Sequence, residues 1–417
     1  MGSGRGPVGR SNPPGRQARL EARQPVIAAD EDHEVSRHQA AGRGLVDTHT
    51  ATSSDTPGKM AHLDIALRRL HSQRISGAHL ENPGEVVGWL GAVQAQDYSG
   101  AKWALGLRLQ ASTDGEIDQA FSDGVILRTH LMRPTWHFVT PVDIRWMLSL
   151  TAPRVHAANA YMYRNLELES TLLRRSNAEL ARALRGGKQL TRDELRDVLR
   201  EAGIASDGGL RLAYIMMFAE LEGVICSGAR RGKQFTYALL DERAPDTKTL
   251  EREEALAALA FRYFVSRGPA TIQDFAKWSG LTITDARGGL EAIKARLRHE
   301  VVDGQDYWFS TSTTQAGVPS PTAYLLSIYD EYVSGYRDRS AIGEAEVGAK
   351  LRALGNGLSY IIVVDGQVVG TWKRKLRKGA VILDTSLFAR PKQAVERAIA
   401  LAARKYGEFL ELPVELV

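Results

Sequence analysis

Between Thr191 and Leu240 the spacing of apolar residues changes from a helical to a strand period. In TRDELRDVLREAG (191–203) Thr191 stands three positions before Glu194, the spacing of a capping box, and Gly203 supplies a stop. In GGLRLAYIMMFAELEG (208–223) Leu212, Ile215, Met216 and Ala219 recur on one helical face. VICSG and FTYALL then read as two strands around the basic turn ARRGKQ. Helix, helix, basic hairpin is the order of a winged helix.

A second copy of this order follows. EREEALAALAFRYFVSRG (251–268) predicts a long helix, and TIQDFAKWSG and TITDARGGLEAIKARL predict two shorter ones broken at Gly280. HEVVDGQDYWFS predicts two strands about a tight Asp-Gly turn whose tip is not basic. Residues 60–140 fit the same scheme, with helices near 64–74, 83–94 and 114–122. Strands follow in VILRTHLM and TWHFVT, hinged at Arg133-Pro134. A helical span over 141–186 joins the first copy to the next. Near the end, SYIIVVDGQVVGTWKRKLRKGAVILDTSLF alternates about Asp365-Gly366 and predicts strands, then a helix over 391–405 and a last strand in EFLELPVEL.

The predicted fold is mainly α with small β wings, an α+β class. It has three tandem winged-helix domains plus a C-terminal β-containing, barrel-like domain. The expected division is a disordered tail over 1–59, winged helix 1 over 60–140, a helical linker over 141–187, winged helix 2 over 188–245, winged helix 3 over 246–317 and the terminal domain over 318–417. The tail contains no Phe, Trp or Tyr and is rich in Gly and Pro, so it buries too little apolar surface to offset its ordering entropy. Met60 opens the patterned part of the chain, which makes a misassigned start at residue 1 the expectation.

Composition narrows the function classes. Among 417 residues, 54 Lys and Arg against 49 Asp and Glu give a net charge of +5, which permits a polyanionic partner. No stretch approaches the roughly 18 uninterrupted apolar residues of a membrane helix. The lone Cys226, in an apolar strand, reads as inert core and excludes CxxC zinc sites and disulfide frameworks. The densest basic run of the patterned chain is Lys373-Arg374-Lys375-Leu376-Arg377-Lys378. There is no phosphate-binding glycine loop, no nucleotide-binding GxGxxG, no GxSxG elbow, no metal-spaced His pair and no zinc-deaminase signature. From the residues alone the chain reads as tandem winged helices on nucleic acid.

Three further stretches carry a family resemblance: GWLGAVQAQDYSGAKWALGLR (88–108), LRTHLMRPTWHFVTPVDIRWM (127–147) and LLSIYDEYVSGYRDRS (325–340). Together, in this order, they resemble the AlkZ/YcaQ family of bacterial winged-helix DNA glycosylases, over roughly residues 60–417. The family's active-site motif is Gln, any residue, then Gln or Asp. Here it is Gln94-Ala95-Gln96, so the resemblance implies catalytic roles for Gln94 and Gln96. It further implies hydrolysis of the N-glycosidic bond of cationic alkylated purines such as N7-alkylguanine, with interstrand crosslinks as further substrates and an abasic site as product. The central Ala95 is smaller than the apolar residue similar proteins carry there.

Asp97, next to the motif, is a candidate for orienting water or for capping the next helix. His137, in the Thr135-Trp136-His137 stretch, is a candidate accessory group facing a DNA cleft or a structural histidine. Arg128 and Arg133, with Arg230, Arg231 and Lys233 at the wing tip, are candidate DNA-backbone contacts. Tyr98 and Trp103 read either as stacking platforms for a flipped base or as core. Asp330, Glu331, Tyr336, Arg337, Asp338 and Arg339 are expected to pin the third module to the terminal domain by charge pairing. The expected partner is damaged double-stranded DNA. No cofactor, metal, nucleotide or membrane is expected, and the chain is expected to act as a monomer in the cytoplasm, associated with the nucleoid. The rival readings are a winged-helix transcription regulator and a DNA binder that has lost catalysis.

Overall fold

A computed structural model of the chain describes residues 57–206, 208–310, 319–343, 345–353 and 360–417. The expected tail lies outside the described residues as far as 56. Helical backbone is already present in α1 (Pro57–Ser72), ahead of Met60. Then come α2 (Pro83–Leu90), β1 (Val93–Gln94), α3 (Tyr98–Gly106), α4 (Asp114–Asp123), β2 (Leu127–His130) and β3 (Trp136–Val139). The three strands form one sheet in the order β1-β3-β2.

Two expectations for this region change. The helix over 83–94 ends at Leu90, because Gly91 turns the chain at φ 77, and Gln94 lies on a strand. The unexpected α3 is short and buried almost throughout, so it has no amphipathic stripe to read.

The span over 141–186 is two helices, α5 (Ile144–Asn165) and α6 (Ser170–Leu184), parted where Glu167 takes φ 51. Then β4 (Leu190–Thr191), α7 (Arg192–Glu201), α8 (Gly209–Leu221), β5 (Ile225–Ser227), β6 (Thr236–Leu239) and α9 (Leu240–Arg243) follow, with sheet order β4-β6-β5. The Thr191–Glu194 capping box is present, and Leu212, Ile215, Met216 and Ala219 are buried. Next are α10 (Arg252–Arg267), α11 (Ile272–Ser279), α12 (Ile283–Ile293) and the hairpin β7 (Leu297–Val302) and β8 (Gln305–Ser310). Asp303 and Gly304 both take positive φ, 49 and 74, as a two-residue hairpin turn requires.

The remainder is β9 (Ala323–Leu326), α13 (Glu331–Ser334), α14 (Ala345–Ala353), β10 (Ile361–Val364), β11 (Gln367–Arg377), β12 (Ala380–Leu387), α15 (Gln393–Leu410) and β13 (Val414–Leu416). These five strands make one sheet in the order β13-β12-β11-β10-β9. Its edges, β13 and β9, do not pair, so among the described residues the sheet does not close into a barrel. The last strand is shorter than the pattern suggests. Tyr406 and Phe409 continue the helical face of α15 and pack on Trp103, with ring centroids 4.9 and 5.1 Å away. Helix therefore holds to Leu410.

The cores do not follow the expected modules. Val86, Leu90, Trp103 and Phe121 share one apolar cluster with Leu325, Ile362, Trp372 and Phe409, so the first region and the terminal sheet are built around the same interior. A second cluster joins Leu127 and Val139 to Leu259, Phe264 and Trp278. Helix α1 also leaves its own module: Arg69 and Ser72 donate to the carbonyls of Pro269 and Gly268, and Arg68 pairs with Glu300 on β7. The β7–β8 hairpin is thereby occupied by protein.

Charge is buried where these parts meet. Arg108 and Asp330, both about 1% exposed at the side chain, form a two-pronged pair at 2.9 Å for each prong. The remaining Arg108 donors reach Ala104 O, Gln73 O and Gln73 Oε1. Leaving one member of such a pair without its partner costs about 3–5 kcal/mol. Arg108→Met is therefore expected to lower unfolding free energy by about that amount in urea titration. A loss below about 1 kcal/mol would show that the first region does not lean on Asp330.

Candidate active site

The motif Gln94-Ala95-Gln96 is held from behind by one carboxylate. The Gln94 amide donates to Glu331 Oε1 at 3.0 Å. Glu331 Oε2 accepts from Arg267 Nε and Nη2 at 3.1 and 2.7 Å and from Trp278 Nε1 at 2.9 Å. Arg267 in turn donates to the carbonyls of Leu90 and Ala92, on either side of the Gly91 turn. The turn that launches β1 is thus fixed by groups on α10, α11 and α13. Glu331 is one of the 329–340 residues expected to pin the third module to the terminal domain by charge pairing, and here it also reaches the first region through Gln94.

The motif straddles the end of β1. Gln94 lies opposite His137 in the β1–β3 register, and the Ala95 amide donates to Trp136 O at 2.8 Å. Gln94 is the last residue of β1, and Ala95 and Gln96 follow it in the link between β1 and α3. Ala95 is fully buried in the core shared with the terminal sheet, so its size bears on packing behind the strand. Gln94 is 7% exposed and its Oε1 accepts from Arg133 Nη2 at 3.4 Å. Gln96 is half-buried, and its Oε1 accepts from the Trp136 amide, also at 3.4 Å. Both contacts are long, which leaves the two carboxamides free to tighten on a ligand.

Arg133 is brought to the site by a left-handed backbone, φ 56, where a non-glycine residue is strained. Its side chain lies against Gly280, and its Nε has no hydrogen-bond partner. His137 is fully buried, with Nδ1 2.9 Å from Thr135 O and Nε2 unpartnered. Burial, and then the nearby Arg133, hold it well below the ordinary histidine range, so it is neutral near pH 7. His137 is closed off from solvent next to Gln94, which corrects the reading in which it faces an open cleft. Arg128 donates Nε to Ala95 O at 3.0 Å and its guanidinium lies over the rings of Trp136 and Phe235. It supports the motif's backbone.

Asp97 occupies the N-cap position of α3 but makes no side-chain cap bond; its carboxylate accepts a close hydrogen bond from Tyr360 OH. Tyr98 donates to Asp118 at 2.6 Å and packs edge-on against Phe121, Phe138 and Phe235, and Trp103 donates to Leu325 O at 2.6 Å. Both are core, and neither is free to stack on a base. At the wing tip Arg230 turns inward, donating to Asp118 and Lys233 O, while Arg231 pairs with Glu194. Lys233 itself is exposed. Cys226 is buried, and burial pushes its thiol up to about 12, which keeps it inert. Among the described residues no cluster of His, Cys, Asp or Glu is arranged to hold a metal.

Sequence reading missed Arg267, Trp278 and Tyr360 altogether. Glu331, the partner of Arg267 and Trp278, was legible as one of the charged residues of 329–340, but its target was not. The same holds for Lys277 on α11, whose ammonium donates to Ser334 O and Tyr336 O.

A family model described as "DNA glycosylase AlkZ-like" matches residues 87–409. An "Interstrand DNA cross-link repair glycosylase" from Streptomyces sahachiroi is 28% identical over 366 residues, covering 84% of this chain and 97% of that one. The solved structure of Streptomyces sahachiroi DNA glycosylase AlkZ superposes with a TM-score of 0.70 at 24% identity, over 85% of this chain and 99% of that one. That structural likeness establishes a shared α+β fold.

Lys277 gives the site a pH signature. Burial, and then the charges of Arg133 and Arg339, lower its pKa from 10.5 to about 8. Between those values the unfolded chain binds more protons than the folded one, so this group's contribution to stability rises with pH through the window about 8 to 10.5. Lys277→Met removes the cost of burying the charge. Its stability relative to wild type is expected to be highest near pH 7 and to fall by about 1–3 kcal/mol by pH 10. Urea titrations at the two pH values measure this, and a pH-independent difference would contradict it.

Proposed function

The chain belongs to the AlkZ-like DNA glycosylase family, and from that premise we propose that it hydrolyses the N-glycosidic bond of cationic alkylated purines, N7-alkylguanine in particular, and leaves an abasic site. The observation that carries this reading is the pair of neutral carboxamides, Gln94 and Gln96, at the end of a pinned strand, with His137 held neutral opposite Gln94. Alkylation at N7 makes guanine a cation, and the base departs as a neutral molecule. Little acid catalysis is needed. The bond opens towards an oxocarbenium-like sugar, and the protein must hold water against C1′ and direct oxygen dipoles at the developing charge. Two glutamine side chains supply acceptors for the cation and donors and acceptors for the water without carrying charge themselves. Ala95 is buried in the core behind the strand, so its size bears on packing, which argues against the reading of a binder that has lost catalysis.

The relative from Streptomyces sahachiroi is named for interstrand cross-link repair, and we extend the same substrate class to this chain. We keep the division into three winged helices, at 60–140, 188–245 and 246–317, as part of the proposal. The helix-helix-hairpin order around the β4-β6-β5 sheet supports it for the second. DNA contact then falls to Arg133 and Lys233 and to the exposed Lys373, Lys375, Arg377 and Lys378 of the β11–β12 hairpin. Asp97 is the accessory group nearest the motif. We take the protein to act as a monomer in the cytoplasm, without metal or nucleotide cofactor. Among the described residues no helix is long and apolar enough to cross a membrane.

The decisive assay is single turnover on duplex DNA carrying N7-methylguanine, scored as alkali-labile abasic sites. Gln94→Ala and Gln96→Ala are each expected to slow release by at least about tenfold, and the double variant to fall to the spontaneous rate. No release above that rate at saturating wild-type protein, on both this duplex and an N7-crosslinked one, would overturn the proposal. Changing Lys373, Lys375 and Arg377 to Ala is expected to reduce the slope of log K against log salt by about 0.9 for each phosphate that is no longer neutralised. An unchanged slope would move DNA off this hairpin.

A further inference from the structure

The basic run 373–378 contains one residue that does not behave like the others. Lys373, Lys375, Arg377 and Lys378 are exposed, whereas Arg374 is half-buried and turned into the protein. It shares the face of Trp372, which is 2% exposed. Its Nη1 donates to Tyr406 OH at 2.6 Å, and its guanidinium carbon lies 6.0 Å from the centre of the Tyr360 ring. Tyr360 packs edge-on against Trp372 at 5.0 Å, and its carbonyl accepts from the Trp372 amide at 3.1 Å. The backbone and ring of Tyr360 are therefore fixed by the strand that runs into the basic hairpin.

The free end of Tyr360 points to the motif. Its hydroxyl donates to Asp97 Oδ2, one residue after Gln96. Burial first, and then this bond to a carboxylate, hold the phenol well above its ordinary range, so it remains a donor. The chain has made room for the contact. A Cβ at Gly100 would stand 2.7 Å from Asp97 Oδ2 and 3.1 Å from Ser327 Cβ, so a side chain at 100 would push the carboxylate off its seat. Asp97 itself makes no side-chain bond to the start of α3. Its carboxylate is thus set by the terminal sheet, not by the helix it begins.

We propose that Tyr360 is a positioning residue of the active site, acting through Asp97, and that Arg374 ties this contact to the basic hairpin. The terminal sheet then contributes to the reaction itself as well as to DNA affinity, because the carboxylate beside Gln96 is aimed by a hydroxyl from β10's entry. The inference rests on the glycosylase reading above and adds a residue from the far end of the chain to its site.

A double-mutant cycle tests it in the single-turnover N7-methylguanine assay. Tyr360→Phe removes only the hydroxyl and keeps the ring packed on Trp372. The maximal rate is expected to fall about tenfold, as for loss of a hydrogen bond to a charged group. The Kd for undamaged duplex, by fluorescence anisotropy, and the melting temperature are expected to stay at wild-type values. Asp97→Ala is expected to give a similar drop, and the double variant to be no slower than the slower single variant. A Tyr360→Phe rate within twofold of wild type overturns the inference. So does a double variant whose loss is the product of the two single losses, or a loss in Tyr360→Phe that appears wholly in Kd. With any of these results the Gln94 and Gln96 reading stands, provided wild type releases the base. No release by wild type overturns both.

Discussion

Glu331 is the group on which the arrangement depends. Its carboxylate is 1% exposed and receives four hydrogen bonds, from the Gln94 amide, from two guanidinium nitrogens of Arg267 and from the Trp278 indole. A buried carboxylate with this many donors is stable only while all of them are present, since the attraction must offset the loss of hydration on both ions. That requirement links α10, α11, α13 and the first strand into one unit. It also sets the position of the motif: the only backbone amide among the four donors is that of Gln94.

The same constraint explains why the site's own side chains are neutral. Arg133 already reaches Gln94, and burial followed by the charges of Arg133 and Arg339 lowers the Lys277 pKa. An additional acid among them would form an ion pair and lose its freedom to respond to substrate, whereas a glutamine can reorient at little cost. His137, deprived of water and placed near Arg133, stays uncharged for a related reason. A carboxylate is tolerated at Asp97, farther along the chain and partly exposed, where a tyrosine hydroxyl meets it.

The shared core of the first region and the terminal sheet has a mechanical consequence. Trp103 of α3 donates to Leu325 O on β9 and packs on two aromatic rings of α15. Helix α3 begins just after the motif. The segment bearing the carboxamides is therefore clamped at its start by Glu331 and at its end by a helix seated in the terminal sheet, a rigid setting of the kind preorganised dipoles need.

Much of this was legible in the residue pattern because it is local. The Thr191–Glu194 cap, the face made by Leu212, Ile215, Met216 and Ala219, and the Asp303-Gly304 and Asp365-Gly366 turns all follow from spacing and backbone preference within a few positions. Gln94 and Gln96 were identifiable from resemblance, and Cys226 as core from its neighbours. Other features emerge only from tertiary contact. Arg128 and Arg230 look like surface cations in the sequence, yet rings and acids distant along the chain hold them. His137 looks accessible, yet it is buried. Glu331 finds Gln94 across 237 positions and Tyr360 finds Asp97 across 263. Hydrophobic period and turn chemistry act over one or two turns of chain, so the elements and the motif can be read from the residues alone. A buried charge selects its partner by proximity in the folded chain, so what holds the motif in place is settled only when distant segments meet.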